Sequence, residues 1–96
     1  MVFTKRLRAR VKSGRIRVTV RIWVRPQVKV GGRYAMDEGS IVVDSMERIT
    51  LKQITYDLAR ESGFDSVADL LHIARHGHGR HVYVIRFHYL PAGAWV

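Results

Sequence analysis

The sequence predicts a single α+β domain in which a small curved sheet or barrel is flanked by helices. The chain of 96 residues has the length of one ordinary domain. Its composition is 47% hydrophobic, which is normal for a globular protein and argues against wholesale disorder. Its hydrophobic pattern switches from a helical period to strand alternation and back. This pattern predicts the order helix, strands, two helices and a final strand.

The first element is predicted to be a short helix over residues 4–13. Phe3, Leu7 and Val11 recur every four residues and form one apolar stripe. Thr4 is suited to cap the first turn, and Gly14 is suited to end the helix in the left-handed backbone region. Nearly all other positions of this helix are cationic.

A long strand is predicted next, over residues 15–25. Its side chains alternate between an aliphatic set and a mostly cationic set, and successive strand side chains point to opposite faces. The aliphatic set is Ile16, Val18, Val20, Ile22 and Val24, and the other set is Arg15, Arg17, Thr19, Arg21, Trp23 and Arg25. We expect the aliphatic set to line a core. Pro26 is expected to end the strand, because proline lacks a backbone donor.

Three further strands are predicted in the remaining sequence. Two short strands, at residues 34–36 and 41–43, are expected to be joined around Glu38-Gly39. The last strand covers residues 81–90, which are rich in Val, Ile, Tyr and Phe.

Two helices are predicted before the last strand. Thr50 and Gln53 have the spacing of a capping box, which starts a helix that ends at Gly63. Ser66 and Asp69 have the same spacing and start a second helix, which ends near Gly77. The positions expected to be buried are Leu51, Ile54 and Leu58 in the first helix and Val67, Leu70, Leu71 and Ala74 in the second.

The positive charge of the chain is concentrated in its first third. Seventeen Lys and Arg residues against eight Asp and Glu residues give a formal net charge of +9. Residues 1–33 carry eleven of these cations and no acid, whereas residues 34–96 carry six cations and all eight acids. This asymmetry is typical of a face that binds a polyanion, although a solvated basic surface would have the same composition.

The cationic face of the predicted long strand also carries Trp23, between Arg21 and Arg25. Arginine offers phosphate forks and planar stacking, and an exposed indole gives a nucleobase a surface on which to stack. The alternative is that Trp23 packs beneath a helix while its cationic neighbours extend outward. Both interpretations of Trp23 remain open from the sequence.

The histidines gather late in the chain. His72 and His76 have the spacing of one helical turn, which can hold a metal, and His78 and His81 follow among glycines. No Glu follows His72, so the zinc-protease pattern is absent. The chain has no cysteine, which excludes a disulfide scaffold, a thiol nucleophile and a cysteine-built zinc site. We therefore expect no metal and no cofactor.

Five stretches of the sequence carry motifs of one known family. Phe3 opens a basic helix, and residues 14–21 have the sequence Gly-Arg-Ile-Arg-Val-Thr-Val-Arg. Val30-Gly31, residues 58–66 and residues 82–87 extend the likeness over nearly the whole chain. Together these segments resemble the ASCH domain of the PUA-like superfamily, whose signature is Gly-x-Lys followed by four residues and an Arg. The run from Arg21 to Pro26 looks like a compact bacterial branch.

The resemblance implies a small PUA-like β-barrel with flanking helices and a cleft between them. It also implies RNA binding, with coupling to translation or RNA metabolism. A few members of the family are amidohydrolases acting on acetylated cytidine, or ribonucleases, and the amidohydrolases use a Lys, a Thr and a Glu around the cleft.

This chain departs from that catalytic pattern. Gly14, Thr19 and Arg21 match family positions, but Ile16 stands at the position of the Lys and Ser62 at that of the Glu. Ile16 can neither act as a base nor stabilise an oxyanion. An enzyme of this type would have to rely on Thr19, Arg21, Glu61 and Ser62.

The favoured function is a non-catalytic module that binds RNA or another single-stranded nucleic acid. The residues expected to hold phosphates are Lys5, Arg6, Arg15, Arg17 and Arg25, and those expected to hold a base or nucleotide are Thr19, Arg21 and Trp23. One alternative is a small nucleoside amidohydrolase or ribonuclease. Another is a basic protein-interaction or ribosome-associated adaptor.

The domain is expected to span residues 1–90, with residues 91–96 as a C-terminal tail. No apolar run approaches the roughly 18 residues that a membrane helix needs, and no signal-peptide core is found. We therefore expect a cytoplasmic protein without membrane contact.

Overall fold

The computed structural model describes residues 2–75 and 79–93. In chain order its elements are α1 (Lys5–Lys12), β1 (Val18–Trp23), β2 (Arg33–Met36), β3 (Gly39–Ile49), a 3-10 turn (Leu51–Gln53), α2 (Tyr56–Glu61), α3 (Val67–Ala74) and β4 (His81–Leu90). The strands form one antiparallel sheet with the order β1-β4-β3-β2, curled into a half-barrel. The predicted α+β class and the order of the elements are confirmed.

Helices cover both faces of the sheet. On one face, Val82 and Val84 of β4 pack with the aliphatic side chains of β1 against buried residues of α2 and α3, such as Ala59 and Leu70. On the other face, Phe87 of β4 packs against the apolar stripe of α1. These faces follow from the alternation along β4, since residues 82 and 84 point one way and residue 87 the other.

Strand β1 is shorter at both ends than the sequence predicts. Val18, Val20 and Ile22 are buried in the expected core, so the alternation is confirmed. Ile16 is also buried, but it precedes the strand and packs with the stripe of α1. Val24 is 60% exposed, which corrects the prediction that it faces the core. The cause is that β1 ends at Trp23, so Val24 lies beyond the sheet.

Strand β3 is much longer than predicted. It has 11 residues and pairs with β4 along nearly its whole length, from Ser40 opposite Leu90 to Ile49 opposite Val82. A β-bulge at Asp44 interrupts the register between Val43 and Ser45. The extra residue shifts the alternation of the strand, which is why the sequence pattern reveals only its first half.

The helix predicted to begin at Thr50 is divided in two. The capping box of Thr50 and Gln53 forms, but it caps only the 3-10 turn, and Leu51 is 42% exposed rather than buried. Ile54 then adopts extended backbone and α2 begins afresh, with the Thr55 side chain accepting a hydrogen bond of 3.1 Å from the backbone N–H of Leu58. A second N-cap residue thus competes successfully with the first.

The cap of α3 is confirmed, whereas the cap of α1 differs. The Ser66 side chain accepts a hydrogen bond of 3.0 Å from the Asp69 N–H, as expected. Thr4 precedes α1 but its side chain makes no capping hydrogen bond. Gly14 follows the helix with φ of +81°, the left-handed geometry predicted for it.

Ion pairs hold α1 against the turn between β2 and β3. The Lys12 Nζ atom lies 2.9 Å from Asp37 Oδ2 and 3.1 Å from Glu38 Oε2, and Arg8 Nη1 lies 3.3 Å from Asp37 Oδ1. The hydrogen bond from Lys12 lowers the pKa of Asp37 below its ordinary value.

Within the described residues, none of the helices has both the length and the apolar character that a membrane crossing requires.

Candidate nucleic-acid interface

A cleft of about 260 Å³ lies along the outer edge of β1. Residues 19–23 of β1 form its floor. One wall is built by residues 2–4 and Leu7, and the opposite wall by Phe64, Ile73 and Ala74. The cleft therefore separates the start of α1 from α3, with the strand between them.

Arg21 is the charged side chain of this cleft. In the described part of the chain, no other residue that lines the cleft is an acid or a base of Lys or Arg type. Its Nε atom donates to Thr19 Oγ1 at 3.1 Å, and its Nη2 atom donates to the backbone carbonyl of Val2 at 2.6 Å. Burial lowers the pKa of Arg21 to about 10, so the guanidinium remains charged at neutral pH.

The guanidinium of Arg21 is held by an aromatic ring as well. Its Cζ atom lies 4.9 Å from the centroid of the Phe3 ring, a cation–π geometry. The sequence places Arg21 on a cationic face and Phe3 in a helix stripe, and the structure joins them. Val2 and Phe3 thus contact the cationic face of β1 at Arg21.

Trp23 combines features of the two interpretations left open by the sequence, an exposed stacking surface and a packed side chain. It is half-buried and packs on Tyr83, with ring centroids 5.8 Å apart. It also lines the cleft, two residues from Arg21 along the strand. Thr19 is buried and lines the same floor. The three residues predicted to hold a base or nucleotide are therefore brought together.

The five residues predicted to hold phosphates are exposed and lie within four residues of a cleft residue in the sequence. Lys5 and Arg6 directly follow the wall residue Thr4, and Arg25 lies two residues beyond Trp23. Arg15 and Arg17 lie between α1 and β1, and Arg17 Nε donates to the carbonyl of Gly14 at 3.1 Å.

Most cations of the first third have no acidic partner. Arg8 and Lys12 pair with the acids of the β2–β3 turn, whereas the other nine make no ion pair with a side chain in the described ranges 2–75 and 79–93. These nine are Lys5, Arg6, Arg10, Arg15, Arg17, Arg21, Arg25, Lys29 and Arg33. The described acids thus neutralise little of the N-terminal charge.

A second hollow, of about 420 Å³, adjoins the cleft. It shares Thr4, Phe64 and Ile73 with the cleft and adds Arg6. It also contains Asp69 and His72, so its charge is mixed.

The two remaining candidates for a hydrolase lie elsewhere. Ser62 is only 2% exposed, and its hydroxyl lies 2.9 Å from the carbonyl of Leu58 and 3.0 Å from that of Ala59, bonds that close the end of α2. Glu61 lies 3.8 Å from Arg86 in an exposed ion pair. Neither lines the cleft that contains Thr19 and Arg21.

The histidines divide between described and undescribed parts of the chain. His72 is exposed on α3, and His81 lies edge-on to Tyr83 with ring centroids 6.5 Å apart. His76 and His78 lie outside the described residues. Among those that are described, no three side chains of His, Cys, Asp or Glu type are grouped as metal ligands.

Comparisons of the chain with protein-family models, with curated proteins and with solved structures find no match. The resemblance to the ASCH domain therefore depends on the motif residues alone, and the specifically PUA-like fold stays a prediction.

The walls of the cleft are the part of the site that the sequence reasoning missed. Phe3 and Leu7 belong to the stripe assigned to the core, and Ile73 falls outside the predicted apolar face of α3. Val2 and Ile73 are exposed hydrophobic residues. Their apolar character next to a cationic strand was the available signal, but only the packing of α1 and α3 beside β1 brings them together.

Proposed function

We propose that the protein binds single-stranded RNA through the cleft beside β1 and the cations around it, as a non-catalytic PUA-like module. The observation that carries this proposal is the environment of Arg21. It is a largely enclosed cation in an apolar cleft, and its described hydrogen-bond partners are a hydroxyl and a carbonyl rather than a carboxylate.

An enclosed cation without a carboxylate costs folding free energy, because desolvation is not offset by a countercharge. The hydrogen bonds to Thr19 and Val2 and the ring of Phe3 offset part of this cost. An anionic or carbonyl-bearing ligand would offset the rest. The presence of an arginine in this cleft is therefore best explained by a ligand of that kind, which compensates the remaining cost of burying its charge.

Trp23 supplies the second property that a nucleotide site needs. Its indole lines the cleft and packs against the ring of Tyr83, which does not line it. Stacking of a base on an aromatic side chain contributes about 1–3 kcal/mol and tolerates any base. A stacking surface beside an arginine favours a nucleotide over a simple inorganic anion.

The surrounding charge supplies the third property. Nine cations of the first third lack an acidic partner in the described structure, and five of them neighbour the cleft in sequence. Such cations bind phosphates through the release of counterions. The resemblance to the ASCH domain supports the same function, since it implies RNA binding.

The test is the salt dependence of RNA affinity. A fluorescein-labelled single-stranded RNA of twelve nucleotides is titrated with the protein at several salt concentrations, and binding is followed by fluorescence anisotropy. Single-stranded binding loses about 0.7 log units of affinity per log unit of salt for each phosphate contacted. Contacts from Lys5, Arg6, Arg15, Arg17 and Arg25 therefore predict a slope of about −3.5.

Paired variants locate the contacts. Arg17→Gln should weaken binding and reduce the magnitude of the slope by about 0.7. Arg33→Gln removes the same charge from β2, at the opposite edge of the sheet, and should change the slope little. Affinity that is equal at 50 and 200 mM salt would contradict the proposal. If an acidic protein bound as tightly as the RNA at physiological salt, the adaptor function would be favoured instead.

A further inference from the structure

The floor of the cleft is an unpaired strand edge. β1 is the terminal strand of the order β1-β4-β3-β2, so one of its edges pairs with β4 and the other pairs with no strand of the described sheet. The cleft lies at that edge, between the start of α1 and α3. The backbone groups of β1 that point away from β4 therefore point toward the cleft.

The hydrogen-bond pattern identifies these groups. The N–H of Phe87 donates to the carbonyl of Arg17 at 2.9 Å, and Val18 lies opposite Arg86 in the register. In an antiparallel pair, opposed residues alternate between those that exchange hydrogen bonds and those that do not. It follows that Thr19, Arg21 and Trp23 bond to β4, while Val18, Val20 and Ile22 direct both N–H and C=O away from it.

Of these three residues, Val20 presents its backbone to the cleft. Val18 does not line it. The carbonyl of Ile22 is covered by Gly79, where an added Cβ atom would lie within 2.4 Å of that oxygen. Val20 lines the floor, and no side chain or loop of the described structure bonds to its N–H or C=O.

A backbone donor and acceptor at the floor of an open cleft bond to water or to a ligand, because unpaired backbone groups are rare in native proteins. A ligand that fits must present an acceptor beside a donor. It must also be small, since a volume of about 260 Å³ lies below the roughly 300–1,000 Å³ of pockets for drug-sized molecules. An added peptide strand would need a run of accessible backbone groups along β1 in the cleft, whereas Val18 does not line the cleft and the carbonyl of Ile22 is covered.

We propose that the cleft takes one unpaired nucleobase, whose Watson–Crick edge bonds to the backbone N–H and C=O of Val20. Each nucleobase has an adjacent donor and acceptor on this edge, and single-stranded RNA exposes it. Arg21 and Trp23 flank the base, so the charge and the stacking surface lie beside the hydrogen-bonding edge. This inference rests on the proposed RNA binding and adds that the base must be unpaired and unmodified at its Watson–Crick edge.

The test compares RNAs of ten nucleotides that differ only in methyl groups at that edge. Oligouridine is compared with oligo-3-methyluridine, oligoadenosine with oligo-N6,N6-dimethyladenosine, and oligocytidine with oligo-N4,N4-dimethylcytidine. Guanine is represented by oligoinosine, which carries the same N1–H and O6, compared with oligo-1-methylinosine. For the base that the cleft accepts, the loss of these hydrogen bonds should weaken binding about tenfold. Oligo-5-methyluridine, which carries its methyl group on C5 and keeps the Watson–Crick edge intact, should bind within twofold of oligouridine.

A variant that narrows the cleft connects this effect to the site. Ala74→Leu fills space at the α3 wall and should abolish the discrimination between methylated and unmethylated RNA while the salt dependence remains. Ala68→Leu adds the same volume to the exposed side of α3 and should retain the discrimination. Both variants are required to show a cooperative thermal unfolding transition, which establishes that they are folded.

The outcomes separate the two proposals. If all methylated RNAs bind within twofold of their parents, the readout by Val20 is wrong while RNA binding stands. If none of the RNAs binds at any salt concentration, the proposed function fails and this inference fails with it.

Discussion

The guanidinium of Arg21 lies over the ring of Phe3, with its Cζ atom 4.9 Å from the ring centroid. Arg21 belongs to β1, and Phe3 precedes α1, so this contact and the hydrogen bond from Arg21 to Val2 join the first residues to the strand. The cation is oriented by an aromatic ring and by main chain. Because no carboxylate of the described residues pairs with this guanidinium, its charge is available to a ligand, and Arg21 is the first residue to test.

Substitution of Arg21 by Met should separate binding from stability. Arg21→Met keeps much of the side-chain volume and removes the charge, and a hydrogen bond to a charged group contributes about 1.5–3 kcal/mol. RNA affinity measured by anisotropy should therefore fall roughly 10- to 100-fold. The melting temperature should stay the same or rise, because an enclosed cation without a carboxylate is removed. Arg33→Met is the control, and unchanged affinity of Arg21→Met would remove Arg21 from the site.

Substitution of Trp23 should weaken RNA binding in proportion to the lost aromatic surface. Trp23→Ala removes the stacking surface and should cost about 1–3 kcal/mol of binding free energy. Trp23→Phe keeps a ring and should retain most of the affinity. Because Trp23 also packs on Tyr83, urea unfolding of both variants is measured alongside binding. Equal affinity of Trp23→Ala and the unaltered protein would show that no base stacks there.

The ion pairs at the β2–β3 turn predict how stability depends on acid pH. The hydrogen bond from Lys12 holds the pKa of Asp37 below its ordinary value of 3.8. A carboxylate whose folded pKa is lowered stabilises the protein above its unfolded pKa, and this contribution is lost as the pH falls through the folded pKa. The free energy of unfolding should therefore decrease below about pH 4.

Asp37→Asn isolates this contribution. Asn tolerates the positive φ of +51° at this position and cannot titrate. The variant should be less stable than the unaltered protein at pH 6, and the difference between the two should shrink toward pH 2. Urea unfolding followed by circular dichroism over this range measures it. A difference that is constant with pH would contradict the pairing with Lys12.

Gly63 should be much less tolerant of substitution than Gly31. Both have positive φ, +99° and +81°, so alanine at either position strains the backbone by about 1 kcal/mol. At Gly63 an added Cβ atom would also lie 2.8 Å from side-chain atoms of Leu7 and Ile16, whereas at Gly31 it would meet nothing within 4 Å. Gly63→Ala should therefore lower the free energy of unfolding by a further 1–2 kcal/mol or so.

The measurement is urea unfolding of the two alanine variants. Leu7 lies in α1, and Ile16 lies between α1 and β1 and packs with the stripe of α1, so the extra loss reports on the close packing of the end of α2 against this cluster. Equal losses in the two variants would contradict this packing.

Local signals were sufficient to predict much of the fold. Phe3, Leu7 and Val11, which recur every four residues, are buried as predicted, and β4 covers the expected residues 81–90. Ser66 caps α3 as its spacing with Asp69 indicates. These features depend on neighbours within one or two turns of the chain, so the sequence contains all the information they need.

Local signals were misleading where a distant partner or a competing neighbour decides the outcome. The capping box at Thr50 predicts one helix, but the cap at Thr55 starts another. The length of β3 depends on its pairing with β4, which continues past the bulge at Asp44. No pattern within β3 itself indicates this pairing.

The sequence by itself determined which side chains of β1 share a face, because a strand alternates with a period of two. Only the tertiary structure decided that β1 is the edge of the sheet, that α1 and α3 stand on either side of that edge, and that Arg21 is enclosed by Phe3. The physical reason is that alternation is a property of one strand, whereas an edge, a wall and a cleft arise from contacts between residues far apart in the chain.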